Sequence, residues 1–471
     1  MKKTDFKGAF GTKNTRYGSY SALMIAIVIA VVIVVNLFAN ALPSSIKTVD
    51  LSANKVYSIG SDTEKVLGKL DKDITITVLA SKADAEDALK QLLDNYADNK
   101  HITVKYEDPS VNVSLSNKYS NLSQGSVVVT CGDREQTIDS SSLFTTDYSS
   151  GSYTSSFDGE GQITSAIQYV TSKNLPKMYT VTGHGEASLS SSVSSLINKQ
   201  NIKTEDLNLM TSGGIPDDCD ILFIYAPTSD YTADEAKEII NYLDGGGTAI
   251  VMAYYTDKDM PNFKSVLDSY GLTLNDGIVL ESANHYYQYP MYVIPAISSS
   301  DITDDLASKN LNILMPNSLG MTENSAENVK VTPLLQTSSD AYLKKVTDGQ
   351  ITTTEKEDGD TVGQFDIAAL SEKTSGDNTG KLIAIGSSSL IDDSVTQSFT
   401  LGNIDFFGDC LTYLTKDSGA STVSISSKSM TPASITVSAL QSVIWAAVAV
   451  VIIPVAIIVI GLVIWLRRRK K

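Results

Sequence analysis

Two long apolar runs, one near each end, constrain this chain more than any other feature. Residues 22–42 and 443–466 are almost wholly Ala, Val, Ile, Leu and similar residues, with no charged side chain in either. Each reaches the roughly 20 residues that an α-helix needs to cross a bilayer core. A backbone in hydrocarbon must satisfy its own polar groups, so both runs are predicted to be spanning helices. Flanking charge orients them. Lys2, Lys3, Lys7, Lys13 and Arg16 precede the first run against a lone Asp5, and Arg467, Arg468, Arg469, Lys470 and Lys471 follow the second. Basic flanks stay in the cytoplasm, which puts both tips inside and the long middle outside the cell membrane. The whole chain has a formal charge of -17 although its tips are basic, so the middle is strongly acidic. Such a surface excludes nucleic acid as a ligand.

Ala39-Asn40-Ala41 has the small-x-small form that signal peptidase accepts. The length of the run and of its polar lead favour an uncleaved anchor. Cys131, Cys219 and Cys410 are widely spaced; one disulfide is possible, and no metal knuckle is suggested. The expected division is a basic tip (1–20), a first span (21–42) and an α/β domain (43–145). A linker with a helix (146–175), a larger α/β domain (176–420) and a second linker (421–440) follow. A second span (441–466) and a basic tail (467–471) complete the chain.

In the smaller domain, a helix over 61–70 with Ser61 as its cap precedes an alternating strand over 74–79. An amphipathic helix over 83–99 and strands over 102–107 and 127–130 follow. This β-α-β unit and hairpin resembles a thioredoxin-type arrangement, without the CxxC that redox catalysis needs. Residues 145–160 are rich in Ser, Tyr and Gly and read as a linker or surface loop, with a helix over 162–171 behind them. In the larger domain, strands are expected over 177–181, 202–207, 221–225, 248–253 and 381–385, with helices over 190–200, 232–243 and 406–414. ILFIY at 221–225 is a continuous apolar run of the kind buried on both sheet faces. The pattern implies an open, doubly wound, mainly parallel sheet. The acidic stretch 340–378 is expected to be a protruding hairpin.

Strand 177–181 runs straight into Thr182-Gly183-His184-Gly185-Glu186. Ligands of open sheets bind at strand carboxyl ends, and Gly183 and Gly185 permit close backbone approach. His184 and Glu186 are residue types that ligate metals or exchange protons. The plainer reading, a tight turn ordered by His184 with Glu186 near the next helix, is favoured, and no metal or cofactor is expected. An amidotransferase-type enzyme needs a nucleophile on a strained turn. Here Ala226-Pro227-Thr228 follows ILFIY, and Gly386-Ser387-Ser388 lacks the pattern, so no catalytic residue is assigned. Ser387 at a strand end is a candidate for a small polar ligand. Tyr286, Tyr287, Tyr289 and Tyr292 form the most aromatic segment and a candidate interaction surface. No P-loop occurs, so ATP hydrolysis of that kind falls to a partner.

VDLSANKVYS at 49–58, VTGHGE at 181–186, DILFIYAPT at 220–228, YLDGGG at 242–247 and KLIAIGSSSLIDD at 381–393 together resemble a known family. It is the gliding-motility type (GldG-like) auxiliary subunits of ABC transport systems. The resemblance implies a membrane-bound partner of an ABC ATPase and permease, with a glutamine-amidotransferase-like sheet in the larger domain. The expected function is a non-catalytic, two-anchored subunit that engages a substrate or an envelope or extracellular ligand. A membrane-anchored hydrolase or amidotransferase relative is the alternative.

Overall fold

Alternating β-branched residues make ITITV a half-buried strand, β1 (Ile74–Val78). Helix α1 (Ser61–Gly68) precedes it, and α2 (Asp87–Ala97) crosses to the parallel strand β2 (Ile102–Tyr106). A hairpin of β3 (Val127–Cys131) and β4 (Arg134–Ile138) completes a four-stranded sheet of order β2-β1-β3-β4. The computed structural model describes residues 24–34, 50, 52, 54–147, 154–282, 285–308, 311–346, 350–396, 401–416 and 424–430. The expected second span, both basic tips and residues 21–23 and 35–42 of the expected first span lie outside them. Within the first run, residues 24–34 are helical. Among the described residues no helix is long and apolar enough to cross a membrane.

Two local expectations are corrected here. Ser61 does not cap α1; the N-cap is Gly60, with no side-chain cap bond. The Gly60 N–H and the Thr63 hydroxyl instead donate to Glu160 Oε1 at 2.5 and 2.7 Å, so a distant carboxylate serves the helix start. Residues 145–160 are also more than a linker. β5 (Phe144–Asp147) pairs antiparallel with β6 (Thr154–Phe157), and α3 (Gly159–Thr171) begins directly after it. Polar side chains form these strands because Phe144 stacks on Phe157 at 4.8 Å while the rest stays near the surface. α3 is buried along most of its length and packs on β3 and β4 and against α1 and α2.

The centre of the large sheet forms on unbroken apolar runs such as ILFIY and TAIVM. Its first part is β7 (Lys177–Thr182), α4 (Ser191–Lys199), β8 (Lys203–Asn208), β9 (Ile221–Tyr225), α5 (Ala233–Asp244) and β10 (Thr248–Met252). α6 (Pro261–Asp268), β11 (Leu272–Leu274), β12 (Ala296–Ile297), β13 (Met321–Glu323) and β14 (Val329–Gln336) follow. β15 (Asp366–Ser375), β16 (Asn378–Ile385) and α7 (Asn403–Thr415) come last. The order is β11-β13-β15-β16-β10-β9-β7-β8, with β14 on β15 and β12 on β14. All five residues of β9 are buried. Ile221, Phe223 and Tyr225 enter one core with Ile197, Phe407 and Leu411, and Leu222 and Ile224 enter the other with Ile239 and Phe263.

Only half of this sheet is parallel, which corrects the mainly parallel expectation. β8, β7, β9, β10 and β16 are parallel neighbours, whereas β15, β13, β11, β14 and β12 extend the sheet antiparallel. The acidic stretch 340–378 is not simply a protrusion. It contains β15, whose first six residues are buried, and its hairpin partner β16 begins at Asn378. The possible disulfide is absent, since all three cysteines are free.

A last short strand, β17 (Lys428–Ser429), pairs with β6 and brings the far end of the described chain back to its beginning. Asn54 Nδ2 donates to the Ser429 carbonyl at 3.0 Å. Lys428 Nζ donates to the carbonyls of Lys55 and Ser58 and pairs with the buried Glu160 carboxylate at 2.6 Å. Lys199 Nζ holds the approach to β17 through the Ile425 carbonyl, at 2.6 Å.

Candidate functional site

The five parallel strands have the order 2-1-3-4-5, counted along the chain from β7. In such a sheet the order reverses between the first and third strands, and ligands bind in the crevice at their carboxyl ends. Here that crevice lies between the loops after β7 and β9. Thr182-Gly183-His184-Gly185-Glu186 leaves one strand and Ala226-Pro227-Thr228 leaves the other.

The two loops are stitched together across it. The His184 carbonyl accepts the Thr228 and Ser229 N–H groups, each at 3.0 Å, and the Ser229 hydroxyl at 2.9 Å. The Ala187 N–H donates to the Tyr225 carbonyl. Gly183 and Gly185 have φ of +118° and +75°. At Gly185 a Cβ would also meet Thr228 Oγ1 at 2.2 Å, so the close approach of the loops demands glycine there.

His184 turns inward and is 6% exposed. Its Nε2 lies 3.2 Å from Glu235 Oε2 and its Nδ1 3.6 Å from Glu186 Oε1. The ring packs on Tyr231 at 4.3 Å between centroids. Glu186 folds back over the turn, where its carboxylate accepts the His184 N–H at 2.7 Å and the Tyr231 hydroxyl at 3.0 Å. It therefore does not serve the start of α4, where the Ser190 hydroxyl is the cap. Glu235 is the third residue of α5 and completes a capping box with Thr232. Burial, reinforced by the Glu186, Glu235 and Asp230 carboxylates, pushes the Tyr231 phenol far above its ordinary range.

The crevice is thus filled by the protein's own His184, Glu186, Tyr231 and Glu235. Ala226, 4% exposed, follows β9 in left-handed backbone at φ +54°. That is the strained strand-end position where a nucleophile elbow carries its reactive side chain, and here it carries a methyl group.

The remaining sequence candidates lie elsewhere. Ser387 is buried and its hydroxyl donates to the Pro316 carbonyl at 2.6 Å, so its hydrogen bonding is directed inward. Tyr287 and Tyr289 are exposed and Tyr286 partly so. Their loop closes on itself through Tyr287 N–H to the Tyr292 carbonyl and a Tyr289–Tyr292 edge contact at 5.6 Å. Neither Ser387 nor these tyrosines line the cleft beside the turn, which has a volume of about 600 Å³ and opens toward β8. Sequence reasoning missed Tyr231 and Glu235 as partners of His184. The Thr232-x-x-Glu235 pattern signals a helix start but not what the carboxylate reaches. Among the described residues no cluster of three or more His, Cys, Asp or Glu could hold a metal ion.

Comparison with known proteins agrees with the division of sheets. A model described as a domain of unknown function (DUF7088) matches residues 53–144. No curated protein matches. Solved structures with partial likeness include the mmIFT52 N-terminal domain, at 17% identity and TM-score 0.38, covering 51% of this chain and 97% of that one. PurLQS from Thermotoga maritima matches at 14% identity and TM-score 0.30, covering 51% and 100%. The exo-β-1,4-mannosidase Op5Man5 from Opitutaceae bacterium strain TAV5 matches at 10% and 0.26, covering 70% and 50%. Scores this low carry no inference about chemistry. A family model described as an ABC-type uncharacterized transport system (ABC_transp_aux) matches residues 175–410, half of the chain and nearly all of the large sheet; the chain belongs to this family of auxiliary ABC transport components.

Proposed function

We propose that this protein is a non-catalytic subunit, anchored in the cell membrane by both apolar runs, that works with separate ABC ATPase and permease subunits. The meeting of Asn54 and Lys55 with Lys428 and Ser429 carries this reading. These contacts bring the two ends of the acidic body, residues 54–55 and 428–429, to one place, so that the segments leading to both runs start near each other. The apolar side chains of the helical residues 24–34 support it further: Met24, Ile25 and Val34 are each at least 60% exposed, a surface suited to lipid or to another apolar helix. The self-filled crevice and the methyl of Ala226 favour a binding or scaffolding role over hydrolase or amidotransferase chemistry. On this reading the body faces outward and engages a substrate or an envelope component.

Co-purification tests the proposal. The full chain, tagged at native expression level and extracted in mild detergent, is expected to bring down one ATPase and one permease. A variant with residues 443–466 replaced by an unrelated spanning segment is expected to lose them. Recovery of neither partner with the intact chain contradicts the proposal.

A further inference from the structure

The cleft beside the filled crevice is open, and its chemistry is one-sided. Strand alternation puts Thr180 and Thr182 of β7 on one sheet face with Thr204 and Asp206 of β8, and the parallel register sets Asp206 opposite Thr180. All four line the cleft, together with Ser188 and the edge of Glu186. The lining thus combines hydroxyls and carboxylates, and among the described lining residues there is no Lys, Arg or His. A second cavity, about 400 Å³ beyond β10, is different, with Lys258, Lys264 and Lys345 in its wall. Both Glu186 oxygens already accept internal bonds, which leaves Asp206, exposed at the sheet edge, as the carboxylate open to a ligand.

We propose that this cleft binds a small polar ligand through an ammonium group. An ammonium offers three N–H donors and no acceptor. Asp206 accepts one as counter-ion, and the Thr180 and Thr204 hydroxyls accept the others. An anion would find hydroxyl donors but no cation among the described lining residues, and would meet two carboxylates. This goes beyond the transport reading and does not depend on the anchors.

The test is saturation-transfer NMR on the full chain in mild detergent with three four-carbon probes: 1,4-diaminobutane, butane-1,4-diol and succinate. The diamine is expected to bind saturably, the diol at least ten-fold more weakly, and succinate not at all. Asp206→Asn is expected to weaken diamine binding by about ten-fold, the scale of one charge-assisted hydrogen bond. Thr204→Val, which keeps the carboxylate, is expected to weaken it several-fold. Unchanged melting of both variants shows that they fold. Equal binding of diol and diamine, binding of succinate, diamine binding indifferent to Asp206→Asn, or no diamine binding would each overturn the proposal.

Discussion

His184 separates a structural from a catalytic reading of the turn. Its ring lies between two buried carboxylates and under Tyr231, so its removal leaves Glu186 and Glu235 facing each other without it. His184→Ala is expected to destabilise the protein by about 1–3 kcal/mol, the scale for removing one partner of buried polar groups. His184→Gln, which retains a donor, is expected to recover part of that in denaturant unfolding; an unchanged midpoint for His184→Ala contradicts the account. A second residue reports on pH. Backbone and hydroxyl bonds from Ser141 and the Ser123 N–H lower the Asp139 carboxyl from 3.8 to about 2. A depressed folded value means its modest contribution is full above 3.8 and is lost as pH falls through about 2. A carboxyl-carbon NMR titration is expected to find that midpoint, and one near 3.8 contradicts it. Burial likewise raises the Cys219 thiol to about 11, so it is expected to resist alkylation at neutral pH.

At the level of elements, β17 acts as a clasp. Lys428 reaches Glu160, which also serves the Gly60 N–H and the Thr63 hydroxyl at the start of α1. Lys428→Ala is expected to raise amide hydrogen exchange over 424–430 and 54–60 while leaving β9 protected; unchanged exchange in both segments argues against a clasp. Much of the element pattern was legible beforehand for plain reasons. ILFIY and KLIAI are apolar on both faces, and ITITV alternates. The misses share a cause. β5 and β6 are built from FTTD and TSSF, in which composition hides the pairing that Phe144 and Phe157 hold. β15 begins DIAAL inside an acidic stretch, and its average polarity masked a buried half. Glu160 and Glu235 gave no burial signal, because a lone glutamate looks solvated until its distant partners are known. His184 was visible as a singular residue; that it faces inward depends on Tyr231 and α5, which no local spacing reveals.

At the scale of the whole molecule, the proposal is an acidic body, whose described ends meet at β17, held by two membrane anchors with basic tips. On that proposal the anchors associate with a permease, and the body, held outside the membrane, contacts the envelope. The most direct measurement is labelling of intact cells with a membrane-impermeant maleimide. In a background with Cys131, Cys219 and Cys410 each replaced by Ala, cysteine would be introduced singly at exposed Glu355 in the body, at Thr4 in the first tip or at Lys470 in the tail. The account predicts that Glu355→Cys labels in intact cells, whereas Thr4→Cys and Lys470→Cys label only after permeabilisation. Protection of Glu355→Cys, or labelling of either tip from outside, would contradict it.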